Sequence, residues 1–144
     1  MAENKKCVFK ITSHVINLDE SGKSSGDVEK DELEAAGFIK TEDGKALISY
    51  EERREGARVL CEILVDGESV RVKRRGDVIC DMLFSPQKAF KGLYEAPPFS
   101  FDMEISTLKI ENSIEKPFGS LSLFYVMNIG GAGKRCRMKI TRKD

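Results

Sequence analysis

VRVKRRG, residues 70–76, opens as a strand with one face to solvent: Val70 and Val72 point one way, Arg71, Lys73 and Arg75 the other. Arg74 then falls in phase with the valines, on the side where period-2 alternation asks for an apolar residue. Either a bulge turns Arg74 outward, or the interior of the protein accommodates an arginine. The pattern of the surrounding chain bears on the choice.

Alternation dominates from end to end, in segments of strand length separated by turn residues. It predicts strands over 6–17, 29–42, 45–53, 57–65, 69–75, 77–84, 88–94, 99–110, 119–129 and 134–142. Asp43-Gly44 and Asp66-Gly67 suit tight hairpin turns that need positive φ, and Gly76-Asp77 and Gly130-Gly131 read similarly. Residues 19–27, DESGKSSGD, contain no apolar side chain and are expected to form a mobile loop. Pro97-Pro98 and Pro117 sit at strand entrances, where a missing N–H costs least. VEKDELEAA, 28–36, suits a helical turn or a strand, and the strand is preferred because GFIKTEDGKALISY continues it as a hairpin. The expected fold is therefore all-β, a single antiparallel up-and-down β-barrel of about eight to ten strands, with a sandwich as second choice.

The 144 residues fit one domain, 1–144, long enough to bury a core without disulfides or metal. Lys plus Arg and Asp plus Glu both number 24, so no net charge draws the chain toward nucleic acid or membrane. MAENKKCVFKI lacks the apolar core of a secretion signal and no run approaches a membrane span, which leads to an expected cytoplasmic location without membrane association. Cys7, Cys61, Cys80 and Cys136 are scattered, without C-x-x-C or histidine at metal-ligand spacing, and each shares the phase of its strand's apolar residues. They read as core residues in a reducing compartment; no metal site and no cofactor is expected.

If the apolar phase marks the interior, the inward set includes Phe9, Ile48, Tyr50, Val72, Met82, Phe99, Phe101, Met103, Thr107 and Tyr125. The same phase through ALISYEERREG carries Glu52 inward and Glu51 outward. Glu52 and Arg74 are thus both charged residues on the apolar side, and burial of either is tolerable only with a partner. A guanidinium offers the planar fork that a carboxylate accepts, so the two are expected to meet near the barrel mouth, as a structural ion pair or as part of a ligand site. Tyr50, Tyr125 and Thr107 add hydroxyls to the same face.

Other features invite function and fail on inspection. IGGAGKR, 129–135, has Asn128 where a phosphate-binding loop needs its first glycine and Arg135 where it needs Ser or Thr, and CRMKI after it alternates as a strand. His14, the sole histidine, is out of phase with Phe9 and Ile11 and is expected outside. Arg71, Lys73 and Arg75 on one strand and Arg135, Arg137 and Lys139 on another form basic outer faces; they would make one positive stripe if the strands are close. No interleaved exposed aromatic is evident for stacking bases, which lowers the case for nucleic acid.

The order YEE at 50–52, R-x-G at 74–76, then Tyr94, Thr107, Gly119 and Tyr125 spaced through alternating strands, resembles the YwiB-like family of small bacterial proteins, a domain of unknown function with a calycin-like β-barrel. The resemblance runs from about Gly37 to MKI at 138–140. It implies the barrel and a bacterial cytoplasmic setting, brings no established activity, and puts Tyr50, Glu51, Glu52, Arg74 and Gly76 at motif positions. By analogy of fold alone, lipocalin-like relatives hold apolar or amphipathic ligands inside the barrel. The leading expectation is a non-enzymatic binder of a small anionic or amphipathic ligand at Tyr50, Glu52, Arg74, Met82, Phe101, Thr107 and Tyr125. The alternative is a basic-surface protein for RNA or an acidic partner. An enzyme with Glu52 as base and Tyr50 or Tyr125 as acid comes third.

Overall fold

The computed structural model describes residues 5–113 and 119–143, without the side chains of Ser25, Asp27 and Arg54; Pro117 lies outside the described residues. Ten strands follow one another: β1 (Lys5–Leu18), β2 (Ser24–Glu42), β3 (Lys45–Arg54), β4 (Ala57–Asp66), β5 (Ser69–Gly76), β6 (Cys80–Phe84), β7 (Phe90–Ala96), β8 (Phe99–Ser113), β9 (Ser120–Ile129) and β10 (Ala132–Arg142). They form one sheet in the order β6-β5-β4-β3-β2-β1-β10-β9-β8-β7. Every ladder in it is antiparallel. Neighbours in the sheet are neighbours in the chain, save that β1 pairs with β10.

That pairing moves the free edges of the sheet to β6 and β7, which consequently meet at a seam. Ile79 and Glu95 exchange two backbone hydrogen bonds of 2.8 and 2.9 Å across it, and Ser85 bridges Lys88 at the hairpin end. Between these two bridges no ladder joins β6 to β7 among the described residues. The barrel is closed by two isolated bridges rather than by a continuous ladder.

Alternation builds the interior as the sequence predicts. Phe9, Ile48, Ile63, Val72, Phe84, Ile105, Leu123 and Ile140 are almost entirely shielded from solvent, and the four cysteines are buried among the inward residues. The inward side chains at the middle of the barrel pack on one another as a continuous hydrophobic core.

Several local expectations give way. Phe99 and Phe101 share the phase of Met103 but lie past the end of the packed core, 64% and 41% exposed, with their rings stacked on each other. The loop after β1 is only residues 19–23: the Asp19 carboxylate accepts hydrogen bonds from the Ser21 and Lys23 amides, and β2 begins at Ser24. Residues 28–36, by contrast, are strand throughout, within β2, as preferred from the sequence. At Thr107 the β8–β9 register shifts, so Leu108 and Lys109 both face outward and Ile110 returns to the inside.

Gly76-Asp77 is not a hairpin tip. Gly76 pairs with Val59 at φ 123°, and a Cβ there would run into the Arg58 carbonyl oxygen. Asp77 locks the spot by accepting the Arg58 amide at 2.6 Å and donating its own amide to the Arg58 carbonyl at 3.0 Å. Gly76→Ala combines a forbidden backbone angle with a backbone clash, and should lower stability by about 2 kcal/mol or more. The check is a urea unfolding midpoint; an unchanged midpoint contradicts this reading of the β5 exit.

Candidate functional site

The cross-strand register defines an inward row that runs through Cys7 on β1, Gly37 on β2, Tyr50 on β3, Cys61 on β4, Arg74 on β5 and Cys80 on β6. Beneath it lies a fully apolar row, Ile39, Ile48, Ile63, Val72 and Met82. Above it, toward the end of the barrel, come Glu52, Val59 and Gly76. Arg74 therefore does point inward, one layer above the hydrophobic packing. The two residues beside it in its row are both cysteines, whose small side chains leave room that a leucine or phenylalanine would fill.

Glu52 is the counter-charge. Its Oε2 lies 3.5 Å from Arg74 Nη1, and the Cys61 thiol donates to the same oxygen at 3.6 Å. Glu52 is buried, whereas a quarter of the Arg74 side chain is still exposed, so the guanidinium has one end in the core and one at a mouth.

One atom of that guanidinium lacks a partner. Arg74 Nε is shut off from solvent and makes no hydrogen bond, and the only other such side-chain atom among the described residues is Thr107 Oγ1, also inside the barrel. An unsatisfied buried donor costs about 1–3 kcal/mol. Such a cost in a folded protein calls for an explanation, such as a water or a ligand.

The phenols and thiols around Arg74 are neutral near pH 7. Burial pushes the Tyr50 phenol well up, with Arg74 opposing the shift, and does the same to Tyr94 and Tyr125. Arg74 opposes the shift at all three, which are the three tyrosines of the chain. Burial likewise drives the Cys61 thiol up to about 11 and raises that of Cys80. For Arg74 itself burial works to lower the pKa, yet the net shift is upward, since Cys61, Glu52, Tyr50 and Cys80 each hold its proton more tightly once ionised.

Arg74 stands between two cavities of opposite character. One, of about 270 Å³, opens at the mouth and is lined by Ser13, Asp31, Glu52, Val59, Arg74 and Val78. The other, of about 490 Å³, lies along the β6–β7 seam. Arg71, Lys73, Arg74 and Arg75 line it against only two carboxylates, Asp81 and Glu95, with Ile79, Phe90 and Leu93 as apolar lips. Asp81 is already engaged by Arg71 through two bonds of 2.9 and 3.0 Å. The mouth side is acidic; the seam side favours an anion.

Of the residues singled out by sequence, Tyr50, Glu52 and Arg74 share one neighbourhood. Met82 is buried in the row below, and Tyr125 stands across the interior against Phe84 at a ring distance of 4.8 Å. Thr107 is inside with its hydroxyl unpartnered. Phe101 does not reach the interior and lines neither cavity that touches Arg74. Sequence reasoning passed over Cys61, Cys80, Tyr94 and Gly92; their proximity to the site depends on register across several strands, which no local pattern displays. The two basic rows do not join, because β5 and β10 lie five steps apart in either direction round the ten-strand ring.

The architecture and site thus define a ten-stranded antiparallel β-barrel with a charged cluster at one end and no helix among the described residues. The sequence matches the family described as domain of unknown function DUF1934 over residues 16–140, and the chain belongs to that family. Among solved structures it is similar to the ywiB protein from Bacillus subtilis, with a TM-score of 0.70 and 16% identity, over 96% of this chain and 94% of that one. That likeness shows the fold and agrees with the YwiB-like resemblance in the sequence. No curated protein matches. Among the described residues no helix is long and apolar enough to cross a membrane.

Two outcomes follow from this geometry. A Glu52→Ala, Arg74→Ala double-mutant cycle should give a coupling of about 1–3 kcal/mol, whereas additive losses would mean that the 3.5 Å contact carries no energy. The Cys61 thiol, raised from 9.0 to about 11, binds its proton more tightly folded than unfolded. Its contribution is fully present below about pH 9 and is lost as pH rises through 11; Cys136, also pushed up to about 11 by burial, adds to it. Chemical denaturation between pH 8 and 11 should therefore show stability falling only across the upper half of that range.

Proposed function

We propose that this protein is a non-enzymatic binder of a small ligand with one anionic group and an apolar body. The anion sits on Arg74 and the body lies along the seam between β6 and β7. The observation that carries this reading is the unpartnered buried Nε of Arg74, a residue that also lines a cavity whose cations outnumber its carboxylates. A carboxylate or phosphate oxygen supplies the missing acceptor. Ile79 and Leu93, 42% and 50% exposed at the lips, gain burial from an apolar group placed against them.

The packed middle of the barrel limits the ligand to the size of the seam cavity and argues against a long lipid threaded along the axis. Glu52 takes the opposite end of Arg74 and fixes the guanidinium's orientation before the ligand arrives. The raised thiols beside it supply no ready thiolate near neutral pH, which supports binding over nucleophilic catalysis. Four buried cysteines packed in the core phase also support a reducing compartment such as the bacterial cytoplasm.

Native mass spectrometry of protein purified under mild conditions should reveal a bound small molecule. In parallel, thermal melts with inorganic phosphate and with a series of short-chain carboxylates should show stabilisation that Arg74→Met removes. A ligand at a hundred times its Kd adds about 2.7 kcal/mol, well within detection. No bound mass, and melts unmoved by any of these anions, would overturn the proposal.

A further inference from the structure

On the wall away from Arg74, the ladders align one outward residue from each of five adjacent strands. In register these are Lys30 on β2, His14 on β1, Arg137 on β10, Phe124 on β9 and Lys109 on β8. At about 4.8 Å per strand the row spans roughly 19 Å. Phe124 is half-buried at the surface, with the Arg137 guanidinium 5.2 Å and the Lys109 ammonium 6.0 Å from its ring centroid. It is an aromatic set among cations, the combination that the alternation of the sequence did not disclose.

Two further features single out this wall. The register shift at Thr107 turns consecutive residues, Leu108 and Lys109, to the outside beside Phe124, where regular alternation would present only one of them. Leu108 is 58% exposed, and with Ile16, Val28 and Phe124 it floors a shallow depression of about 270 Å³. The charged and imidazole side chains lining that depression are His14, Arg135 and Arg137, with no carboxylate among them. Arg135, Arg137 and Lys139 occupy successive outward positions of β10, and among the described residues no carboxylate pairs with any of the three. The corresponding cation of β5, Arg71, is neutralised by Asp81.

We infer that the β2-β1-β10-β9-β8 wall is a binding surface for single-stranded nucleic acid. Phe124 and the apolar depression beside it receive an unstacked base, and Arg135, Arg137 and Lys139 follow the phosphates along β10. The β10 cations supply the phosphate attraction, and an aromatic set between Arg137 and Lys109, the latter also paired with Glu111 at 2.9 Å, supplies a stacking platform that tolerates any base. Arg137 can also lay its guanidinium plane on a base. A duplex hides its base faces and cannot use Phe124; an acidic peptide uses the cations but has no need of the ring.

The test is fluorescence anisotropy with a labelled single-stranded RNA of about twelve nucleotides, on the full chain at low salt. Affinity should fall with added salt with a slope of about −0.7 per phosphate neutralised. Phe124→Ala should weaken binding about tenfold or more. Arg137→Ala, a change at an exposed position, should reduce the salt slope by about one phosphate contact. Arg58→Ala on β4 should leave affinity unchanged. Thermal melts establish that each variant is folded. The inference is overturned if the RNA does not bind at low salt, or if a duplex of the same length binds as tightly. It is equally overturned if both Phe124→Ala and Arg137→Ala bind like the parent, or if polyglutamate competes as well as RNA, which would make the wall a site for acidic proteins.

Discussion

A guanidinium placed inside a small β-barrel sets the terms for everything around it. Arg74 is a poor neighbour for leucines, and its row supplies three cysteines, a tyrosine and a glycine, while the row above brings Glu52 and Gly76. The hydrophobic packing stops one layer below. Each neighbour is intelligible as a concession to that single charge: small residues for space, a carboxylate for compensation, phenols and thiols that stay neutral beside it.

The way the barrel closes is coupled to the same residue. Pairing β1 with β10 ties the two ends of the chain together and leaves the unpaired edges on β6 and β7, immediately beside β5. A continuous ladder there would seal Arg74 behind backbone hydrogen bonds. Two isolated bridges leave a cationic cavity against it instead. Fold closure and site access are thus two aspects of one choice of strand order.

Much of this was legible in the sequence because period-2 alternation is a strong signal. It located ten strands, the inward phase of Glu52 and Arg74, and the buried cysteines. It failed where phase and burial part company. Phe99 and Phe101 are in phase but stand beyond the packed core, and phase along one strand says nothing about where neighbouring strands end. It also failed at Gly76, whose positive φ serves a close approach to Arg58 rather than a turn. The register shift at Thr107 was missed as well, although unbroken alternation through TLKI would have turned Lys109 inward and Ile110 outward. Which basic rows adjoin is a question of ring topology, and here β5 and β10 prove to be opposite.

The central claim is that Arg74 is held inside the barrel with one donor reserved for an outside partner. A high-resolution crystal structure of the protein tests it most directly. The account predicts the guanidinium turned inward against Glu52, with ordered density for an anion or a ligand oxygen within hydrogen-bond distance of Nε. Arg74 swung out to solvent, with apolar side chains filling its place beside Cys61 and Cys80, would contradict it.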